Sequence, residues 1–386
     1  MKRVFVVCNS NFPRGGAIAN YIQYLVLCIQ ECGFDTILVS DVNPEFIVPK
    51  NKKIRYGCFD IEPVVLSKNR FIKHIQYQSG FSRDRIAALK KNKITSEDVV
   101  IVLGQSRAFY KRLLSFRNRI GFKIIGGLLE MFDRPNYSGD DRAYREYQYV
   151  LEEIFPQFDA LMPISTFIES HYREKGMKTI CLPIMADSQE FPVKQKNFDK
   201  WRFVIPSNGK MKDALSDMLG AFSDLECDEL GRIELHLCGV KESTVRDILD
   251  KGQFDKLKNS LIIHKWMKYG ELIGLYQEMH FLLLARGVSQ MTLANFPSKV
   301  PETMCFGIVP IVSEVGDYTK YYLKDGVNSI FIHGCEKEVC KAAIRKALKL
   351  TQEEYLVTSK EARFCAENRF DYRKWTGTVR EMLENV

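Results

Sequence analysis

The chain reads as α/β, two Rossmann-like domains with doubly wound parallel sheets that face a central cleft, and three observations predict this. Its 386 residues exceed what one hydrophobic core usually organises, so two domains are expected. Short, β-rich apolar runs alternate with amphipathic stretches of helical period, the pattern of parallel α/β architecture. That alternation stops once, in the polar stretch 187–200 (DSQEFPVKQKNFDK), and then restarts.

In the first half, strands are expected at 4–8, 36–40, 99–103, 123–127, 160–164 and 179–183. Helices are clearest at 17–31 and 144–155. Ser165 suits an N-cap and Gly176 the end of the helix that follows it. In the second half, strands are expected at 203–207, 234–238, 261–264, 281–285, 309–313 and 329–332. The domains are therefore 1–186 and 201–368 with a linker at 187–200. An amphipathic end, 369–386, would form a last helix packing back across the interface.

The apolar share of 46% and charged share of 27% are those of an ordinary globular protein. No apolar run approaches the roughly 20 residues of a membrane span, and the start MKRVFVVCNSN reads as a first strand rather than a signal peptide. Eleven cysteines without a CxxC pair point to free thiols in a reducing compartment, so a cytoplasmic protein is expected. Six histidines lack metal-ligand spacing, and no metal site is expected. The net charge of +8 is concentrated. Fourteen Lys or Arg lie between Lys68 and Lys123, against Asp84, Glu97 and Asp98. Such a region is either a solvated helix face or a patch for an anionic membrane or lipid pyrophosphate. No nucleic-acid motif accompanies it, so no nucleic-acid partner is expected.

Ligands of doubly wound sheets bind outside the carboxyl ends of the strands. Three strand-to-helix loops there carry chemistry. The first, after residue 8, contains Gly15 and Gly16, adjacent glycines that let backbone amides approach a phosphate. It lacks the dinucleotide GxGxxG pattern. The second, SNGKMKD at 207–213, places Lys210 and Lys212 before a helix, where a bound polyanion would offset their charge. The third begins with Arg286 and continues through Asn295, Phe296, Pro297, Ser298, Lys299 and Glu302 to Gly307. Lys299 and Glu302 share a face of a short helix. A cation, free amides and a carboxylate able to take a vicinal diol together describe a nucleotide-diphosphate site.

The segment NFPSKVPETMCFGIVPIVSEVGDYTKYYLKDGVNSIFI (295–332) resembles the donor-binding region of retaining GT-B glycosyltransferases, in particular the large family numbered 4. FPRGGAIANYIQYLVLCIQECGFDTILV (12–39) is similar to that family's first loop and helix. NGKMKD with LGAFSDL is similar to its lysine loop and following helix, and PISTFIESHYREKG (163–176) resembles the end of its N-terminal domain. The resemblance implies that Lys212 holds the donor pyrophosphate, Glu302 the ribose, and Gly15 and Gly16 the donor phosphates. Backbone around Asn295, Phe296, Pro297, Ser298 and Lys299 would meet the sugar or pyrophosphate, with Lys299 or Arg286 as a second cation. Two positions depart from the family pattern: the first glutamate of Glu-x7-Glu falls at Ala294, and an arginine often found five residues before the loop lysine falls at Ser207.

By the same resemblance the reaction is transfer of a sugar with retention, from a nucleotide-sugar donor (UDP favoured) to a glycan or lipid-linked glycan in bacterial surface-polysaccharide assembly. The leaving diphosphate takes the acceptor proton. The donor is a substrate, so no cofactor and no divalent metal are expected. Lys212 and Arg286 would stabilise the leaving group, and Glu130 would either orient the acceptor hydroxyl or serve as a structural cap. An epimerase of the same fold, or a nucleotide-sugar-binding protein without turnover, are the alternatives.

Overall fold

The computed structural model describes residues 2–13, 16–42, 54–56, 59–64, 69, 71–72, 75, 83–137, 139–207, 209 and 212–386. The chain divides into two compact units, Met1–Met185 with Tyr372–Val386, and Ala186–Asp371.

The first unit holds β1 (Arg3–Phe12), β2 (Asp35–Val42), β3 (Ile54–Tyr56), β4 (Phe59–Val64), β5 (Val99–Leu103), β6 (Lys123–Leu128) and β7 (Ala160–Pro163). They form one sheet in the order β3-β4-β2-β1-β5-β6-β7, parallel except for the β3–β4 pair. Val4 to Val7 and Val99 to Val102 are all fully buried. Central parallel strands are covered on both faces, which is why they read as unbroken apolar runs. β1 extends past its apolar run because Asn11 and Phe12 pair with Asp41 and Val42 after an irregularity. Pairing, not hydrophobicity, carries that end.

β3 and β4 lie outside the strands expected from sequence. β4 alternates Asp60 and Glu62 with Ile61, and Glu62 is buried because Lys91 Nζ reaches it at 2.6 Å. The 179–183 run is a correction of the opposite kind. Leu161 N–H donates to Lys178 C=O at 2.9 Å and Ile180 N–H to Leu161 C=O at 3.0 Å, yet only the Leu161–Thr179 pair forms a bridge. Pro163 and Pro183 have no N–H to extend the ladder. The helix expected at 144–155 starts earlier, at Asp141–Tyr149, because Asp140 caps it through Ala143 N–H. It then widens over Val150–Ile154 and ends in a tight turn at Phe155–Gln157, where Pro156 interrupts it.

The second unit holds β8 (Trp201–Pro206), β9 (Ile233–Cys238), β10 (Leu261–His264), β11 (Phe281–Leu284), β12 (Val309–Ser313) and β13 (Ile330–Ile332). All are parallel, in the order β10-β9-β8-β11-β12-β13. The helices Leu215–Ser223 and Lys337–Leu348 bury Met218, Leu219, Phe222 and Ile344 in one core with Phe203, Leu235 and Ile311. Each such side chain contributes roughly 1.5–3 kcal/mol. The strand order reverses at β8 and β11, so the loops that leave these two strands open the sheet at its topological switch point. The corresponding reversal in the first unit lies between β1 and β5.

Residues 187–200, expected as a linker, are bound into the second unit. Ser188 donates its N–H (3.1 Å) and hydroxyl (2.5 Å) to Asp371 Oδ2, and Lys196 is buried. Ser188 and Lys196 are turned inward, while Gln189, Lys194, Gln195, Asn197 and Asp199 are exposed. The last helix, Thr376–Glu384, counts with the first unit, where Cys32 Sγ meets Thr376 C=O and Tyr24 stacks on Tyr372.

Candidate functional site

The loop after β8 is shaped by Ser207. Its N–H donates to Cys238 C=O at 3.0 Å, its hydroxyl donates to Asp213 Oδ2 at 2.9 Å and accepts the Gly209 N–H at 3.2 Å. Gly209 takes φ +69°, a left-handed conformation that glycine adopts without a Cβ clash. Asn208, Lys210 and Met211 lie outside the described residues. Ala214 N–H donates to Ala285 C=O at 2.9 Å and ties this loop to the end of β11.

Asp213 is the centre of the arrangement. Its Oδ1 accepts from Arg286 Nε at 2.9 Å and its Oδ2 from Lys299 Nζ at 3.1 Å. Arg286 also donates Nη1–H to Asn295 Oδ1 at 2.9 Å and its backbone N–H to Ser313 Oγ at 2.9 Å. The Asp213 and Arg286 side chains are each only 5% exposed, whereas Lys299 keeps a quarter of its side chain exposed. Burial works against the ionised Asp213 carboxyl, but Lys299 and Arg286 outweigh it and hold it below the usual carboxylate range. Lys299 is held below the usual lysine value, first by burial and then by Arg286 and Lys212, with Asp213 opposing. Two cations share one carboxylate, and Lys212 adjoins them. The local surplus of positive charge at a switch point suits an anion with several oxygens, such as a diphosphate.

Of the residues singled out in the sequence, Lys212, Arg286, Asn295 and Lys299 are thus brought together around Asp213. Phe296 and Pro297 are buried. The Phe296 ring packs against Tyr318, Tyr322 and Phe370, so its side chain anchors the loop and only its backbone is placed to meet a ligand. Ser298 precedes the helix Lys299–Met304 without capping it through its side chain. Glu302, one turn along this half-buried face, lies close enough to Tyr276 and Cys305 for its charge to help raise both their pKa values, which burial already raises. Ala294 is fully buried at the end of the helix Gln290–Ala294. Asp213 and the hydroxyl of Ser207 are the members that sequence reasoning missed. An acid directly after a loop lysine reads as a surface pair until the fold brings Arg286 to it.

Gly16 and Glu130 belong to the first unit. Gly16, at φ +134°, precedes the helix Ala17–Glu31, and a Cβ there would meet nothing within 4 Å. Gly15 lies outside the described residues. Glu130 follows β6, and its C=O lies 3.5 Å from the Tyr147 hydroxyl. Among the described residues, no group of three His, Cys, Asp or Glu is placed to hold a metal ion, and no helix is long and apolar enough to cross a membrane.

The basic stretch 68–123 is less free than its local sequence implies. Arg85 is buried against Asp41 at 2.7 Å, and Lys91 pairs with Glu62 at 2.6 Å. Arg107 pairs with Glu146, and Arg117 and Lys123 with Asp159. All of these acids lie outside the stretch, so counting charges within it overstated the excess. Phe71, Ile72 and Ile75 in the same stretch are exposed, Phe71 by 72%.

Residues 187–364 match the family model described as glycosyl transferases group 1. No curated protein matches the sequence. Among solved structures, the chain is similar to a sucrose-phosphate synthase from Thermosynechococcus elongatus (13% identity, TM-score 0.73, covering 100% of this chain and 98% of that one). It is similar to a glycosyltransferase from Rickettsia africae (13% identity, TM-score 0.68, covering 100% and 98%). It is also similar to Anabaena HepE, whose structure is a complex with UDP (11% identity, TM-score 0.67, covering 100% of both chains). At these identities the likeness shows the fold, the two-domain GT-B architecture.

Proposed function

We infer, from the match of residues 187–364 to the family model of glycosyl transferases group 1, that the protein is a glycosyltransferase whose donor, a nucleotide sugar, binds at the carboxyl ends of β8 and β11. The observation that carries this reading is the buried Asp213–Arg286–Lys299 cluster at the switch point, with Lys212 beside it and Glu302 one turn away. Arg286 reaches Asp213 from the end of β11, so it supplies a cation to the loop in which Ser207 stands at the family's arginine position.

In the reaction, the bond from the anomeric carbon to the diphosphate breaks. The acceptor oxygen bonds to the same carbon on the same face, and its proton passes to the leaving phosphate oxygen. Lys212, Lys299 and Arg286 stabilise the charge that develops on that phosphate. Glu302 takes the ribose hydroxyls. The structure of HepE with UDP-glucose supports a uridine donor. Glu130 of the first unit would serve the acceptor, a glycan or lipid-linked glycan of surface-polysaccharide assembly at the cytoplasmic membrane face.

Calorimetric titration with UDP, GDP and CMP tests the donor site. One nucleotide binds the wild type, and Glu302→Ala and Lys212→Ala each weaken it at least about tenfold, the loss expected for a charge-assisted contact. Absence of binding to all three would sink the reading. Ala294 favours one other reading, a binding protein without turnover, and binding without hydrolysis or transfer of any UDP-sugar would select it. Exposed Phe71 and Ile75 among cations support contact with an anionic leaflet. Phe71→Ser with Ile75→Ser should reduce sedimentation with phosphatidylglycerol vesicles, and equal sedimentation would remove that contact.

A further inference from the structure

Asp213 has no part in the transfer steps above, yet the cations of the site are arranged around it. Three segments converge on its carboxylate: the loop after β8 through Ser207, the end of β11 through Arg286, and the helix Lys299–Met304 through Lys299. We propose that Asp213 is the positioning residue of the donor site, holding the Lys299 ammonium charged and aimed beside Arg286 so that both meet a diphosphate. This rests on the nucleotide-sugar reading.

The groups around Lys299 set the direction. Burial withdraws water from its ammonium, and Arg286 and Lys212 repel it. Glu302 lies one turn along its own helix. Asp213 is the acid in hydrogen-bond contact with it. An asparagine at 213 keeps the shape but removes the charge, and burial, Arg286 and Lys212 then act on Lys299 without the acid that is hydrogen-bonded to it. Lys299 must release its proton at a lower pH. The same carboxylate also repels an incoming phosphate, so its removal favours binding while Lys299 remains charged. The two effects have opposite sign and separate with pH, which a purely structural role for Asp213 would not produce.

The test is made on the full chain in two independent ways. Competitive acetylation across pH 6 to 11, read by peptide mass analysis, reports where Lys299 loses its proton. In Asp213→Asn that midpoint falls by about one pH unit or more, a tenfold change in proton affinity. UDP titration over the same range gives crossing profiles. Asp213→Asn binds UDP as tightly as wild type or more tightly at pH 6, and about tenfold more weakly at a pH between the two Lys299 midpoints. Adding Lys299→Arg, whose guanidinium stays charged, removes the weakening seen in alkaline solution. An unchanged Lys299 midpoint overturns the proposal. A wild type that binds no UDP would instead remove the donor reading, while the Lys299 titration still decides the role of Asp213. Should Asp213→Asn lose its native circular dichroism, Asp213→Glu displaces the charge by one methylene and must shift the midpoint in the same direction by less. A midpoint equal to wild type in that variant also overturns it.

Discussion

A charged side chain takes its meaning from partners that sequence proximity does not reveal. Arg85 lies in a basic stretch and reads as one more solvated cation, but it is 2% exposed and bonded to Asp41 Oδ1 and the Cys8 carbonyl. A charge removed from water is tolerable only with its counter-ion in place. Asp41→Asn, which leaves the guanidinium buried and uncompensated, should therefore cost about 3 kcal/mol of unfolding free energy in urea titrations. A loss below about 0.5 kcal/mol, the scale of exposed pairs, would show that the pair is solvated. Asp213 repeats the lesson at the candidate site. Lys212 and Glu302 were legible through resemblance, whereas the acid that holds Arg286 and Lys299 was not, because these partners are 73 and 86 residues away in sequence.

At the scale of elements, most strands found from sequence are buried on both faces, and the edge strand β10, with Ile262 exposed, is the exception. β5, β10 and β12 coincide with their expected ranges, and β6 differs by one residue. The consecutive glycines of β6 have a tertiary cause. A Cβ on Gly126 would approach Phe158 Cδ2 at 2.7 Å, and one on Gly127 would approach Leu103 Cδ2 at 2.7 Å. The strand is closed in there by packed side chains, and positions 126 and 127 carry none because there is no room for one. Gly127→Ala should destabilise the fold by about 1–3 kcal/mol through overpacking, and an unchanged thermal midpoint would mean that Leu103 moves aside freely. β3 and β4 were not legible, since two of the six residues of β4 are acidic and the burial of Glu62 depends on Lys91 and Asn92 reaching across from the end of the helix Arg83–Lys91.

For the molecule as a whole, buried titratable groups of the second unit set how stability responds to pH. Burial drives His280 down to about 3 and His236 down to about 4. Below pH 6.5 the unfolded chain binds protons that the folded one refuses, so stability is present above that value and is lost as pH falls toward 3–4. Lys196, which donates to Met279 C=O and Tyr355 Oη, is lowered by burial to about 7. Between pH 7 and the ordinary lysine value the unfolded chain again binds more protons, so stability rises with pH there as well. Scanning calorimetry should show the melting temperature rising from pH 4 to pH 9. His280→Asn flattens the limb below 6.5 and Lys196→Met the limb above 7. Parallel curves for wild type and variants would refute the assignment.

What the sequence determined by itself was the α/β class, the two-part division and the loops facing the switch point. These follow from local periodicity and from glycine, proline and lysine placement, properties that neighbouring residues express together. The family resemblance rested on the same local segments. The tertiary structure decided which cations are free. It turned Arg85 inward, bound the 187–200 segment through Ser188 and Lys196, and centred Arg286 and Lys299 on Asp213. Charge pairing and desolvation depend on distance in space, and chain folding alone sets that distance.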